Sequence, residues 1–323
     1  MTKPRIKTAK KSYTFDYPEA LNLTKQQLDI FWLPDEISVE KDIQDLKTNF
    51  TKSEYHGVVT VLKLFTLYET VIGNEYWGGR VMNEFPRPEI QRMASCFSFF
   101  EINVHAPFYN KLNEVLGLAT DEFYSDYVND PILKERMAFI DKMVSDPDDL
   151  LSLAVFSIIE GAILYSSFAF LKHFQTQGKN KLVNVCAGIN FSVRDEDLHA
   201  TGGAWLYRQL FTEKNPDQER KERLEKKIYT ACEQIFEHEA QIIDKIFERG
   251  KIENITDTQL KHFVQSRIDL CLERLGMEKL YKPKYNPVAD WFYDNINGGK
   301  FHDFFVKTGS EYNRDWQESQ FSW

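Results

Sequence analysis

Residues 150–171 read LLSLAVFSIIEGAILYSSFAFL, and one charge, Glu160, stands near the middle of this apolar run. The length suits a membrane span, and equally a helix enclosed by a large helical bundle. In either surrounding a lone ionised carboxylate is too costly to leave unpaired. Glu160 is therefore protonated, paired with a cation, or bound to a metal. No second apolar run of spanning length accompanies it, and acidic sequence flanks it on both sides. The buried bundle helix is the better reading, and no membrane association is expected.

A chain of 323 residues makes one large domain or two ordinary ones, and its 42% hydrophobic content is enough for a sizeable core. Only 15 glycines and 11 prolines punctuate it, which favours helices over a many-turned β fold. A net charge of −9 argues against a nucleic-acid partner, which calls for a basic surface. Cys96, Cys186, Cys232 and Cys271 are scattered with no CxxC spacing, as reduced thiols of a cytoplasmic protein would be. The opening MTKPRIKTAKK is basic but has no apolar core of a leader. Residues 1–25 are expected to form an irregular, solvated arm, 26–300 a helical domain and 301–323 a flexible tail.

Working outward from Glu160, the polar segment Ser145-Asp146-Pro147-Asp148-Asp149 starts its helix. Upstream, Thr51-Lys52-Ser53-Glu54 is a capping box. It opens a helix whose apolar stripe runs through Val58, Leu62, Phe65 and Ile72. Glu69 falls on that stripe where a leucine belongs, and Gly78-Gly79 is a plausible break beyond it. Pro88 begins the next helix, with Glu101, His105 and Tyr109 stacked at one-turn intervals on its buried face. Pro107 within it removes a backbone donor, so a kink or π-bulge is expected between Asn103 and Pro107. Downstream, a helix from Leu182 to about Phe211 carries Glu196 and His199 on one face. Two more follow, about 217–249 and 257–275. The first contains Glu237-His238-Glu239, whose charged neighbours predict a solvated face. In all, about eight helices and no strand are expected.

Singly, each of these acids has an ordinary explanation: an ion pair, a surface charge run, or, for His105, a satisfied core histidine. Together they comprise one Glu from each of two helices and a Glu–His pair from each of two others. That is the inward-facing ligand set of di-iron and di-manganese carboxylate proteins with a ferritin-like bundle. Four carboxylates supply the charge that two divalent cations need, and imidazoles suit iron or manganese better than magnesium or calcium. One pair, Glu101-x-x-x-His105, is a residue longer than Glu196-x-x-His199. Both spacings return to one helix face, and a π-bulge would absorb the extra residue.

The order of these parts resembles the small, radical-generating subunit of class I ribonucleotide reductase. The resemblance rests on Phe31-Trp32-x-Pro34, Glu69 with Gly73, Glu101 with His105 and Tyr109, Glu160 with Tyr165, and Arg194-Asp195-Glu196-x-x-His199-x-Thr201-Gly202. It implies an all-α ferritin-like bundle with additional helices, in which Glu69, Glu101, His105, Glu160, Glu196 and His199 hold two metal ions. Iron is the default, with manganese the alternative, because Glu69 stands where the family usually has Asp. It further implies a stored radical on Tyr109, with Phe168 as a wall of its pocket. Asp195 would orient a ligand histidine and join Trp32 in a path toward the surface. Tyr312 would be the tail relay to a large catalytic subunit that reduces ribonucleotides to deoxyribonucleotides. A homodimer is also implied. From the residues alone, Trp32 merely packs a loop, and the 15 tyrosines are mostly structural; the shelter expected for Tyr109 is Phe97, Phe100 and Phe108. A stand-alone di-metal oxidase or oxygenase on the same bundle is the competing reading.

Overall fold

The structure, a computed structural model, describes residues 3–294. The expected tail, with Tyr312, lies outside the described residues. Eleven α-helices of eight residues or more begin and end within those described: α1 (Pro18–Asp29), α2 (Lys52–Val71), α3 (Pro88–Phe100), α4 (Ala106–Leu116), α5 (Asp121–Asn129), α6 (Pro131–Val144), α7 (Asp149–Ala162), α8 (Tyr165–Lys172), α9 (Val183–Lys214), α10 (Gln218–Phe247) and α11 (Asp257–Leu275); residues 287–294 are also helical. Among the described residues there is no strand, only an isolated bridge between Ile252 and Ile255.

Helix α7 is the axis of the bundle. From Leu150 to Ala162 every residue is buried, and an 18-residue window of the apolar stretch Asp149–Gln175 is wholly enclosed by protein. It packs chiefly along α9, with α11, α10 and α6 closing around it. The single rod expected over 150–171 is in fact broken. Leu164 adopts a left-handed φ of 71° and α8 starts afresh at Tyr165. That conformation costs a non-glycine residue on the order of 1–3 kcal/mol, and burial of Leu164 holds it in place.

Two π-helical segments set the register of the acids. The first, Ile72–Val81, prolongs α2, so Gly78-Gly79 is not a break. The second, Glu101–His105, joins α3 to α4 and lies just before Pro107, two residues earlier than the expected bulge. Proline cannot donate to the preceding turn, and a widened turn absorbs the loss. The capping box at Thr51 forms as expected, with Thr51 Oγ1 accepting from the Glu54 amide.

Two expectations fail in part. The N-terminal arm before Pro18 is mostly exposed and largely irregular, as expected, but it is not free of the bundle. Ile6 is buried, Lys7 pairs with Glu84 and Asp149 at 2.9 and 2.7 Å, and Arg87 donates to the Arg5 carbonyl. Pro18 then starts α1 within the stretch read as irregular. Nor is Glu237-His238-Glu239 a solvated face: Glu239 is wholly buried, pairs with the buried Arg136 at 3.0 Å and accepts from Ser166. Charged sequence neighbours on α10 concealed one inward position per turn.

Gly73 decides how closely α2 approaches the Glu101 segment. A Cβ there would sit 2.7 Å from Ile102 Cγ1 and 2.9 Å from Glu101 Cβ. Gly73→Ala is therefore expected to lower the melting temperature measured by calorimetry, through an overpacking cost of about 1–3 kcal/mol. An unchanged melting temperature would show that the two helices have room to part.

Candidate metal centre

Four helical segments deliver the acids to one place. Glu69 comes from the end of α2, Glu101 and His105 from the π segment, Glu160 from α7, and Glu196 with His199 from α9. All six are buried, with 3% or less of each exposed. Ligand atoms of Glu69, Glu101, His105 and Glu196 lie within 4.8 Å of one another, as do those of Glu101, Glu160, Glu196 and His199. Glu101 and Glu196 belong to both groups, so two adjoining sites share two carboxylates. The π segment brings Glu101 and His105 onto the same face despite their longer spacing: His105 Nδ1 is 3.0 Å from Glu101 Oε2 and 3.1 Å from Glu196 Oε1. His199 Nδ1 stands 2.5 Å from Glu101 Oε1.

This donor set fits a pair of divalent cations. Glu69 Oε1, Glu101 Oε1, Glu196 Oε1 and both His199 nitrogens are buried without a hydrogen-bond partner of good geometry. Such orphaned atoms are rare unless something else satisfies them. Left to itself the cluster must hold protons. Burial, reinforced by the Glu101 and Glu196 charges, pushes the Glu69 carboxyl well above the usual range. Burial and the same kind of repulsion act on Glu160, and push Glu196 up to about 7. Glu101 goes the other way: burial opposes ionisation, but the His199 and His105 imidazoles outweigh it and hold the carboxyl far below normal. For His105, burial disfavours the charged ring, yet Glu101 and the Asp195 hydrogen bond raise it well above its ordinary value.

Around this cluster lies a hydrogen-bonded shell. His105 Nε2 donates to Asp195 Oδ2 at 2.9 Å, which leaves Nδ1 facing the carboxylates. Trp32 Nε1 donates to the same Asp195 oxygen at 2.8 Å, and Gln27 Nε2 to the other at 2.8 Å. Trp32 is buried between the half-exposed Phe31 and Leu33, and its hydrogen bond ties this stretch to Asp195. Gln27 and Trp77 were not foreseen. Trp77 Nε1 donates to Glu160 Oε1 at 2.6 Å, from a π segment whose phase an α-helical reading misplaces.

Tyr109 is wholly buried and its hydroxyl has no hydrogen bond of good geometry; Ser192 lies beside it. Burial, with the Glu69 charge, pushes this phenol well above its usual range. Of the three rings expected to shelter it, only Phe108 touches it. The ring stacks on Phe65 at 4.2 Å and meets Phe108 at 5.1 Å. Phe97 instead covers His199, and Phe100 packs under Phe31. Phe168 is one ring removed, behind Phe65 at 5.4 Å.

The chain is similar to known proteins over most of its length. The family model described as "Ribonucleotide reductase, small chain" matches residues 9–287. A ribonucleoside-diphosphate reductase subunit beta of Halalkalibacterium halodurans is 27% identical over 93% of this chain and 86% of its own length. The rat ribonucleoside-diphosphate reductase subunit M2 is 24% identical over 94% of this chain and 74% of its own. The dimanganese(II)-NrdF protein of Streptococcus sanguinis has the same fold, with a TM-score of 0.75 at 20% identity over 87% of this chain and 97% of that one. With its family matched across most of its length and a carboxylate–histidine cluster at the centre of its bundle, the chain belongs to the ribonucleotide reductase small-chain family.

Proposed function

We propose that this chain is the radical-generating subunit of a ribonucleoside-diphosphate reductase. The observation that carries the reading is the convergence of four carboxylates and two imidazoles into two adjoining groups that share Glu101 and Glu196. Glu69, Glu101, His105, Glu160, Glu196 and His199 would hold two metal ions, iron by default and manganese as the alternative. Bound there, the pair would supply one-electron oxidising power drawn from an oxygen-derived oxidant.

The residues around the pair divide the remaining work. Tyr109 gives up one electron and its hydroxyl proton, and the stack with Phe65 and Phe108 keeps water and reductants from the resulting phenoxyl. Asp195 fixes the His105 ring so that Nδ1 points at the cluster. Through its bond from Trp32, Asp195 also begins a path outward. That path ends at the surface where a large catalytic subunit would dock, with the tail 301–323 and Tyr312 as further contacts. The nucleotide would bind on that partner, and the small subunit would act as a homodimer in the cytoplasm.

After metal loading and oxidation, electron spin resonance is expected to show an organic radical that Tyr109→Phe abolishes. Persistence of the signal in that variant would place the oxidising equivalent elsewhere. Deleting Thr308–Trp323 should leave metal content unchanged and remove reductase activity with the large subunit; intact activity would instead favour a stand-alone oxidase. Metal affinity should also depend on acidity. Glu69, Glu160 and Glu196 all bind protons more tightly than free carboxyls do. Cations must displace those protons, so affinity falls as pH drops through about 7 and loading releases protons. Titration calorimetry in two buffers of different ionisation heat measures that release, and none at pH 6 would contradict the clustering.

A further inference from the structure

A column of rings leads away from Tyr109 by a route that does not include Asp195 or Trp32. Tyr109 stacks on Phe65 at 4.2 Å, Phe65 on Phe168 at 5.4 Å, and Phe168 meets Tyr165 at 5.5 Å. Beyond Tyr165 come Phe292 at 6.1 Å and then Tyr293 at 5.6 Å. Tyr165 and Tyr293 both line a surface cavity of about 560 Å³. Rings in such close succession carry electrons over distances that solvent does not. An oxidising equivalent stored on Tyr109 therefore has a second exit, one that ends in water. Tyr165 is its first oxidisable stop, since phenylalanine is far harder to oxidise.

One residue stands on that stop. The Arg267 guanidinium lies over the Tyr165 ring, 3.7 Å from its centre. It is held there by Nε donating to the Gly161 carbonyl at 2.8 Å and Nη1 donating to Tyr293 Oη at 2.9 Å. Arg267 is 1% exposed, and Asp197, at 3.3 Å, is shared with Arg274. A fixed cation over the face of a ring favours the neutral, electron-rich ring and opposes removal of an electron from it.

We infer that Arg267 is a positioning residue that blocks this exit, keeping the oxidising equivalent on Tyr109 by making Tyr165 hard to oxidise. The inference rests on the radical-storing function proposed above. The step it suppresses is balanced: the Tyr109 phenoxyl regains one electron through the rings, which Tyr165 loses, while solvent supplies the proton that Tyr109 takes up and receives, at the cavity Tyr165 and Val193 line, the hydroxyl proton that Tyr165 otherwise donates to the Val193 carbonyl.

The test is the lifetime and location of the radical, not turnover. Arg267→Met fills the same volume without charge. It should leave metal content unchanged, shorten the radical lifetime at least about tenfold, and place oxidation on Tyr165 or Tyr293 in peptide maps. Adding Tyr165→Phe should restore the lifetime, and Arg267→Lys should largely preserve it. A merely structural role for Arg267 would not produce that rescue. An unchanged lifetime in fully loaded Arg267→Met, or an equally short one in the double variant, overturns the inference. If Arg267→Met does not fold, aminotyrosine in place of Tyr165 keeps Arg267 and offers a more easily oxidised ring: a radical trapped there supports the route, and its absence overturns it. A wild-type chain that stores no oxidising equivalent defeats the parent reading itself, whereas one that stores it and is indifferent to Arg267 defeats only this inference.

Discussion

Four carboxylates enclosed together in an apolar bundle repel one another and have lost their hydration, at an effective cost of several kcal/mol per ion. Everything else in the structure answers to that constraint. Two histidines interleave the acids, Trp77 caps Glu160, and Asp195 holds His105 by its outer nitrogen. No lysine or arginine pairs with any of the four clustered carboxylates among the described ion pairs. Protons or metal ions are left as the neutralising species, and the orphaned oxygens and imidazole nitrogens favour the second.

The backbone is arranged to make this possible. Two of the three described π segments adjoin the cluster: one follows Glu69 and the other contains Glu101 and His105, while the third, Asp45–Asn49, carries none of its residues. Each of the two shifts the helical phase, so side chains that an unbroken α-helix would aim elsewhere converge. Gly73 lets the two segments come within contact distance. The left-handed turn at Leu164 ends α7 four residues after Glu160 and frees Tyr165 and Phe168 to take their places in the ring column. These three departures from ideal helix geometry lie beside residues that serve the proposed chemistry.

How much of this was legible in the sequence follows from the same physics. Buried charge on an apolar stripe is costly, so Glu69, Glu101, Glu160 and Glu196 stood out, and their convergence followed from there being four helices to carry them. Partners at the second layer were less visible. Trp77 is hidden because its π segment breaks the α-helical period, and Gln27 because it lies on a helix whose start at Pro18 was read as loop. Glu239 was masked by charged neighbours, although only the face of α10 toward Arg136 is buried. Of the shelter of Tyr109, the sequence neighbour Phe108 is legible, but Phe65 reaches it from another helix, and neither Phe97 nor Phe100 does. Short-range periodicity gives the face of a helix but not which distant ring it meets.

The central claim is that the six side chains grip two metal ions between them. Anomalous X-ray scattering from crystals of the metal-loaded protein, collected on either side of the iron and manganese absorption edges, tests it directly. The account predicts two adjacent peaks inside the cluster, both touching Glu101 and Glu196, one beside His105 and the other beside His199. A single peak, or none within reach of these residues in protein shown to be loaded, would contradict it.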